Sequence, residues 1–334
     1  MSPSIEGKDV AGGKGGWRDV KVHIIAMKTL RDLLSLKRVL LVTLLGIVPS
    51  LILAASWNSA GRPLEADTHL LLRYFVIISF MWIAGFYIAY TITNSGMEFV
   101  SGEEESGTLL IMVSKPISRF QFILGKFLAL VVAIMLLELI ILFGSVVVIW
   151  LVAGIDPEIL SDLLALVFWV FLYSIIVNIL FASITISLGT VLKGRVAMIA
   201  ITTLVIVIVF GAGTIMRLGW PGIYDNYRLY YVDPGYHLGN IYTDSISHAE
   251  SGRMTPQTQA LTGLFTGKYR TGTEELILTM FLGSGATDPD IGAMPPSLDQ
   301  TNYVSPAISI LLCLVVSGAL LWVAKVAIER KEVY

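Results

Sequence analysis

Cysteine is almost absent from the 334 residues. Cys313 stands alone, so no intrachain disulfide can form and the fold owes nothing to oxidation. It lies in an apolar run, where a thiol serves as a small hydrophobe facing core or lipid. Histidine is scarce as well. His23, His69, His237 and His248 form no pair at metal-ligand spacing and no His-Glu-x-x-His string occurs, which removes the familiar zinc-hydrolase patterns. A Gly-x-Ser-x-Gly elbow is missing too. Neither the Gly-Gly-Lys-Gly-Gly of residues 12–16 nor Gly263 to Lys268 has the spacing of a nucleotide-binding phosphate loop. Apart from a weakly basic leader, no basic face interleaved with aromatics is present to hold nucleic acid.

Charge is the other scarce commodity. Only 14% of residues are Asp, Glu, Lys or Arg, against 55% hydrophobic, and mean hydropathy is +0.77, so the chain reads as a polytopic membrane protein. The formal net charge of -2 decides little, because orientation follows Lys and Arg in short loops. No cleavable signal peptide is evident ahead of the first apolar run near Val39, so the first span is expected to act as its own signal anchor.

Residues 1–17 are rich in Gly, Lys and Ser and are expected to form a disordered cytoplasmic tail. Over residues 18–38, Val20, Ile24, Met27, Leu30 and Leu34 follow helical spacing with Lys21, Lys28, Asp32 and Ser35 opposite. That pattern predicts an amphipathic helix on the inner leaflet. Six spans follow. The first is Val39 to Ser56, with a kink expected at Pro49, and the second runs from Leu70 to Thr93. The third occupies Phe120 to Val152, opened by a capping box in which Ser118 precedes Gln121 by three. At 1.5 Å per residue it would measure about 50 Å, so its first turns should project into the cytosol. The fourth covers Leu163 to Val191, the fifth continues to Ile215, and the sixth is Val304 to Ala327. Asp156, Glu158 and Asp162 mark an outer loop, Lys193 and Arg195 an inner one, and both termini are predicted to be cytoplasmic.

Residues 218–303 form the one long polar stretch and are assigned outside the bilayer as a loop or small domain. Tyr224, Tyr227, Tyr230, Tyr231, Tyr236 and Tyr242 crowd its start, which suits an interfacial aromatic belt, the alternative being a stacking surface for a sugar or amphipathic substrate. Asp288-Pro-Asp290 lacks the ligand count of a calcium site and reads as a turn. Leu276 to Leu282 is too short to span.

Between the second and third spans lies an acidic segment, Glu98 to Lys126. Glu103, Glu104 and Glu105 are consecutive, whereas a helix lying on anionic headgroups would carry Lys and Arg, so a protein partner is one reading. The other is a solvated helix start, since Ser101 and Glu104 fit a capping box and acids favour a first turn. The order Glu103-x-Glu105-x-Gly107-Thr108-Leu109, Ser114-x-Pro116-Ile117-Ser118-Arg119 and Gly125-Lys126 resembles the cytoplasmic coupling segment of ABC exporter permeases of the second export type. Two positions depart from that pattern: Glu104 stands where the family usually has a basic residue, and Leu110 where it often has an acid. The resemblance implies an all-α permease of six spans with an amphipathic elbow helix and a coupling helix at about residues 98–116. It further implies that Glu98, Glu103, Glu104, Glu105, Gly107, Thr108 and Leu109 dock on a separate ATPase subunit, while Pro116, Ser118 and Arg119 fix the angle to the third helix. ATP and magnesium would belong to that partner, with no cofactor or metal held by this chain. A second permease copy or a related permease would complete the path, in the cell membrane.

Within the spans, Glu138 falls near the middle of the third, where an ionised carboxylate costs at least about 2.5 kcal/mol. A neutral carboxyl bonded to a neighbouring helix and a role in transport are both compatible with that position. On the fourth span Ser174, Asn178, Ala182, Thr185 and Gly189 recur every three or four residues, which gives one face of small and polar groups. Close helix packing and a substrate path would both use such a face. The expected function is therefore the membrane-spanning permease of an ATP-driven exporter. The alternative is a polytopic scaffold or intramembrane enzyme without an ATPase partner, and recovery of an ATPase with the chain discriminates the two.

Overall fold

The computed structural model describes residues 16–59, 64–96, 118–192, 195–249, 266, 269–270, 299–300 and 303–330. They are almost entirely helical. The exception is a two-residue antiparallel pair, β1 (Tyr269–Arg270) with β2 (Asp299–Gln300). Helix α1 (Gly16–Leu33) precedes α2 (Leu36–Ser59), and the backbone carbonyl of Ser35 accepts from the Val39 amide, so α2 starts before Lys37 and Arg38 and not after them. The elbow pattern therefore ends about a turn earlier than its amphipathic spacing suggests, because Ser35 supplies the start of the next helix.

Among the described residues six helices are long and apolar enough to cross a membrane: Leu36–Trp57, Leu71–Gly96, Arg119–Ala153, Pro157–Val191, Val196–Arg217 and Pro306–Arg330. The second is not a uniform helix. α3 (Leu64–Ile78) passes into a π-helical stretch, Ser79–Tyr87, before α4 (Ile88–Gly96) resumes. At Gly85 the backbone leaves the helical region (φ -113°, ψ -109°), and an added Cβ there would run into the Phe80 carbonyl. α5 (Arg119–Ala153) is unbroken for 35 residues and stops at Gly154, whose positive φ of 66° is a left-handed cap that favours glycine. α6 (Pro157–Val191) begins two turns before the apolar run, because Pro157 is preset for a first helical position and Glu158 complements the helix dipole. The fifth span contains α7 (Arg195–Val207), a second π-helical stretch at Ile208–Ala212 and α8 (Gly213–Gly219). After α9 (Pro221–Asn226) and a short 3₁₀ turn comes α10 (Pro234–Ser247), and α11 (Pro306–Arg330) is the sixth span.

α5 and α6 are the centre of the bundle. α5 packs against α1, α2, α6, α11 and α4, and α6 against α11, α4 and α10. α2 approaches α5 closely through glycine on both sides: a Cβ on Gly46 would come within 2.8 Å of Ile141, and one on Gly144 within 2.6 Å of Ile47. Small residues at such crossings let dispersion replace the hydrophobic effect, which is weak between helices in lipid. α11 buries a single stripe, Ser309, Cys313, Ser317, Ala324 and Ile328, and leaves Leu311, Val315 and Trp322 exposed as a lipid-facing side.

Candidate functional site

Of the residues expected to dock an ATPase, Glu98, Glu103, Glu104, Glu105, Gly107, Thr108, Leu109 and Pro116 lie outside the described residues. So do Asp288, Asp290 and the run Leu276 to Leu282. Both ends of the intervening segment are described, and both are held. On the α4 side, Arg38 at the start of α2 donates to the Ser95 hydroxyl at 3.1 Å. The next residue, Gly96, sits against Leu130 of α5 and Thr185 of α6, where an added Cβ would come within 2.9 Å of each side chain. On the α5 side, Ser118 caps the helix. Its hydroxyl accepts from the Gln121 amide at 3.2 Å and the Gln121 side chain accepts from the Ser118 amide at 3.1 Å, a reciprocal capping box. Arg119 is the first residue of α5. Two turns on, Gly125 packs on Ile25 of α1, and the Lys126 ammonium lies 5.1 Å from the centre of the Phe122 ring.

The second group is in mid-span. Glu138 on α5 and Asn178 on α6 are completely buried, and the Asn178 Nδ2 donates to Glu138 Oε2 at 2.8 Å. Ser174, one turn from Asn178, faces the same carboxyl while donating to the Phe171 carbonyl at 2.8 Å. Among the described residues Glu138 Oε1, Asn178 Oδ1 and the Tyr173 hydroxyl have no hydrogen-bond partner. Thr185 is also fully buried, but its methyl group meets Gly96 two turns away from Asn178, and Gly189 meets Met198 of α7. The polar stripe of α6 is thus divided among three neighbours: Asn178 and Ser174 face α5, Thr185 faces α4, and Gly189 faces α7.

A third group lies at the far end of the fifth span. Arg217 donates to Asp233 Oδ2 at 2.5 Å and to Thr214 at 2.9 Å, and both members of the ion pair are nearly buried. The same carboxylate accepts from the Tyr224 hydroxyl at 2.9 Å and, through Oδ1, from the Gly235 amide at 2.9 Å, so it caps α10 as well. Burial, and after it the Asp233 charge, raises the Tyr224 phenol above its ordinary value and keeps it a donor. α10 does not run along the surface. Its Gly235 approaches the Val209 carbonyl in the second π-helical stretch, where no Cβ fits, and Tyr242 reaches the first, donating to the Val76 carbonyl at 2.7 Å with Ser79 2.8 Å away. Around Tyr242 pack Phe80 and Tyr173, with Phe210 against Phe80. His237 and Asn240 bond Ser309 at the start of α11, at 3.1 and 3.0 Å.

No curated protein matches the chain. A family model described as "ABC-2 family transporter protein" matches residues 23–320, nearly the whole length. The chain belongs to the ABC-2 transporter family. It is accordingly a multi-pass membrane protein and a permease component of an ABC transporter.

In this ABC-2 permease the tyrosines near the start of the long polar stretch divide by burial. Tyr227 and Tyr231 are exposed, as a belt would have them, while Tyr224, Tyr236 and Tyr242 are buried. The inserted helix of the ABC-2 permease, its two π-helical supports and the hub at Asp233 escaped the sequence reading. Asp233-Pro234-Gly235 was the available signal, a capping residue followed by proline at the first helical position.

Proposed function

We infer that this chain is one half of an ATP-driven exporter in the cell membrane, with both termini on the cytoplasmic side. A separate subunit binds ATP and magnesium, and a second permease copy or a related permease closes the path. Residues 98–116 form the coupling helix, with Glu98, Glu103, Glu104, Glu105, Gly107, Thr108 and Leu109 on the ATPase and Pro116, Ser118 and Arg119 setting its angle. The observation that carries this reading is the course of α5, unbroken from the Ser118 capping box to Gly154. A push on the segment before Ser118 enters a rigid rod about 50 Å long that the rest of the bundle packs around. Arg38, bonded to Ser95, ties the other end of the segment to α2. Residues 18–38 serve as the elbow on the inner leaflet. Residues 218–303 lie outside, with α10 folded back among the spans. Glu138, Ser174, Asn178 and Thr185 act as a helix interface, since all four are fully buried within one bundle.

The test is purification of the tagged chain from its native membrane in mild detergent, with the eluate assayed for ATP hydrolysis. The wild type should bring an ATPase with it, and the double variant Glu103→Lys, Glu105→Lys should insert normally but lose it. Equal ATPase recovery with both would remove the docking assignment. A wild-type chain that brings none, under conditions that hold a known ABC complex together, would favour the scaffold or enzyme.

A further inference from the structure

Glu138 and Asn178 raise a question of hydrogen-bond accounting. One bond joins them, from the amide nitrogen to Oε2 at 2.8 Å, and the two remaining oxygens, Glu138 Oε1 and Asn178 Oδ1, are both fully buried acceptors without a donor. An ionised carboxylate offers only acceptors, so in that form the Asn178 oxygen stays orphaned and a full charge sits in mid-span, with the Asn178 amide bonded to it and beside it the Ser174 hydroxyl, which already donates to the Phe171 carbonyl. Among the described residues no cation compensates that charge. Tyr173 on α6 is the titratable neighbour of Glu138, and around Tyr173 in turn lie Tyr242 on α10 and Cys313 on α11. α2 carries only Lys37 and Arg38, at its start, and the π-helical stretch and α4 carry no Asp, Glu, Lys, Arg or His. The charged helix α1 meets α5 at Gly125, more than three turns from Glu138, and Lys325, Glu329 and Arg330 of α11 lie more than three turns beyond Cys313. Lys126 is on α5 itself, more than three turns away.

A single proton on the carboxyl resolves the account. It turns one acceptor into a donor, and the donor's natural partner is the other orphan, the Asn178 oxygen. An acid and an amide then exchange one hydrogen bond each, N–H to carbonyl oxygen and O–H to carbonyl oxygen, with no net charge. We propose that Glu138 and Asn178 form a proton-binding site, an acid–amide pair that locks α5 to α6 while the proton is held. A metal cation is the poorer occupant, because the amide already turns its donor nitrogen toward the carboxyl. Binding takes a proton from hydronium and leaves water. Loss to hydroxide at alkaline pH leaves a buried anion whose own Oε1 faces the unpaired Asn178 oxygen, and the lock opens.

The site is independent of the ATPase reading and is tested on the full chain alone in lipid nanodiscs. Glu138→Gln is a permanent mimic of the protonated state, because its amide supplies the same donor and acceptor at every pH. Thermal unfolding of wild type and Glu138→Gln is compared from neutral to alkaline pH. Because the folded wild type holds a proton that the unfolded chain releases, rising pH should lower the wild-type Tm by several degrees relative to the variant. Two parallel profiles would overturn the proposal. A second readout does not need the variant to fold: infrared spectra of wild type carrying ¹³C-labelled glutamate should contain a protonated carboxylic-acid band at neutral pH that shifts in deuterium oxide. Its absence would also overturn the proposal. So would a Tm of the wild type, and not of Glu138→Gln, that rises with sodium when choline is the comparison, since that identifies a metal site.

Discussion

Two buried carboxyl clusters of this permease, around Asp233 and around Glu138, solve one problem in opposite ways. At the end of the fifth span, Arg217, Tyr224 and the Gly235 amide all donate to Asp233. In mid-span, Glu138 has the Asn178 amide bonded to it and the Ser174 hydroxyl beside it, and among the described residues no cation. The outer group ties an inserted helix to a span end, where Arg217 and Asp233 can be paired as they fold. The inner group ties two spans to each other, and neutrality there comes from a proton, not from a counter-ion. Burial alone therefore does not say how a carboxyl is stabilised. The number of donors aimed at it does.

The sharpest way to break that contrast is to put a charge in mid-span that no proton can cancel by hydrogen bonding. Glu138→Lys should abolish recovery of a monodisperse folded protein by size exclusion, whereas Glu138→Gln should be recovered as well as wild type. The next largest effect belongs to the outer group. Asp233→Ala strands Arg217, Tyr224 and the first turn of α10 and should cost about 3–5 kcal/mol in an unfolding measurement. Removing Arg217 as well should restore part of that loss, because the uncompensated cation goes with it. A smaller cost, about 1–3 kcal/mol, is expected from Gly235→Ala, whose Cβ has no room against the Val209 carbonyl, and it should appear as faster hydrogen exchange confined to α10 and the π-helical stretch beside it. The smallest is Ser118→Ala at the solvent-exposed start of α5, about 1 kcal/mol from the lost cap, with exchange increased only in the first turn of that helix.

The spans were legible because long apolar runs bounded by charge admit few alternatives, and of the ends that moved by a turn or two, a local helix start accounts for those at Ser35 and Pro157. The cap of α5 was legible for the same local reason. Glu138 and Asn178 each stood out from their surroundings, but their pairing depends on how α5 and α6 slide past one another, and nothing within either helix records that register. α10 was the least legible. It is short and mixed in polarity, and what draws it inward is non-local: the last turn of α3 offers the Val76 carbonyl, the π-helical stretch after it the Ser79 hydroxyl, and the π-helical stretch of the fifth span faces it with the Val209 carbonyl. The polar face of α6 lay between these cases, since the spacing identified a packed face while the assignment of Thr185 to Gly96 and of Gly189 to Met198 needed the neighbouring helices.

The central claim is that the segment between α4 and α5 meets an ATPase, and a photoreactive amino acid at Leu109, irradiated in native membranes, tests it most directly. The account predicts a cross-linked adduct between the permease and an ATP-binding subunit, with a yield that changes when ATP is trapped by vanadate. Adducts to lipid alone, or to a protein outside the cytoplasm, would contradict it.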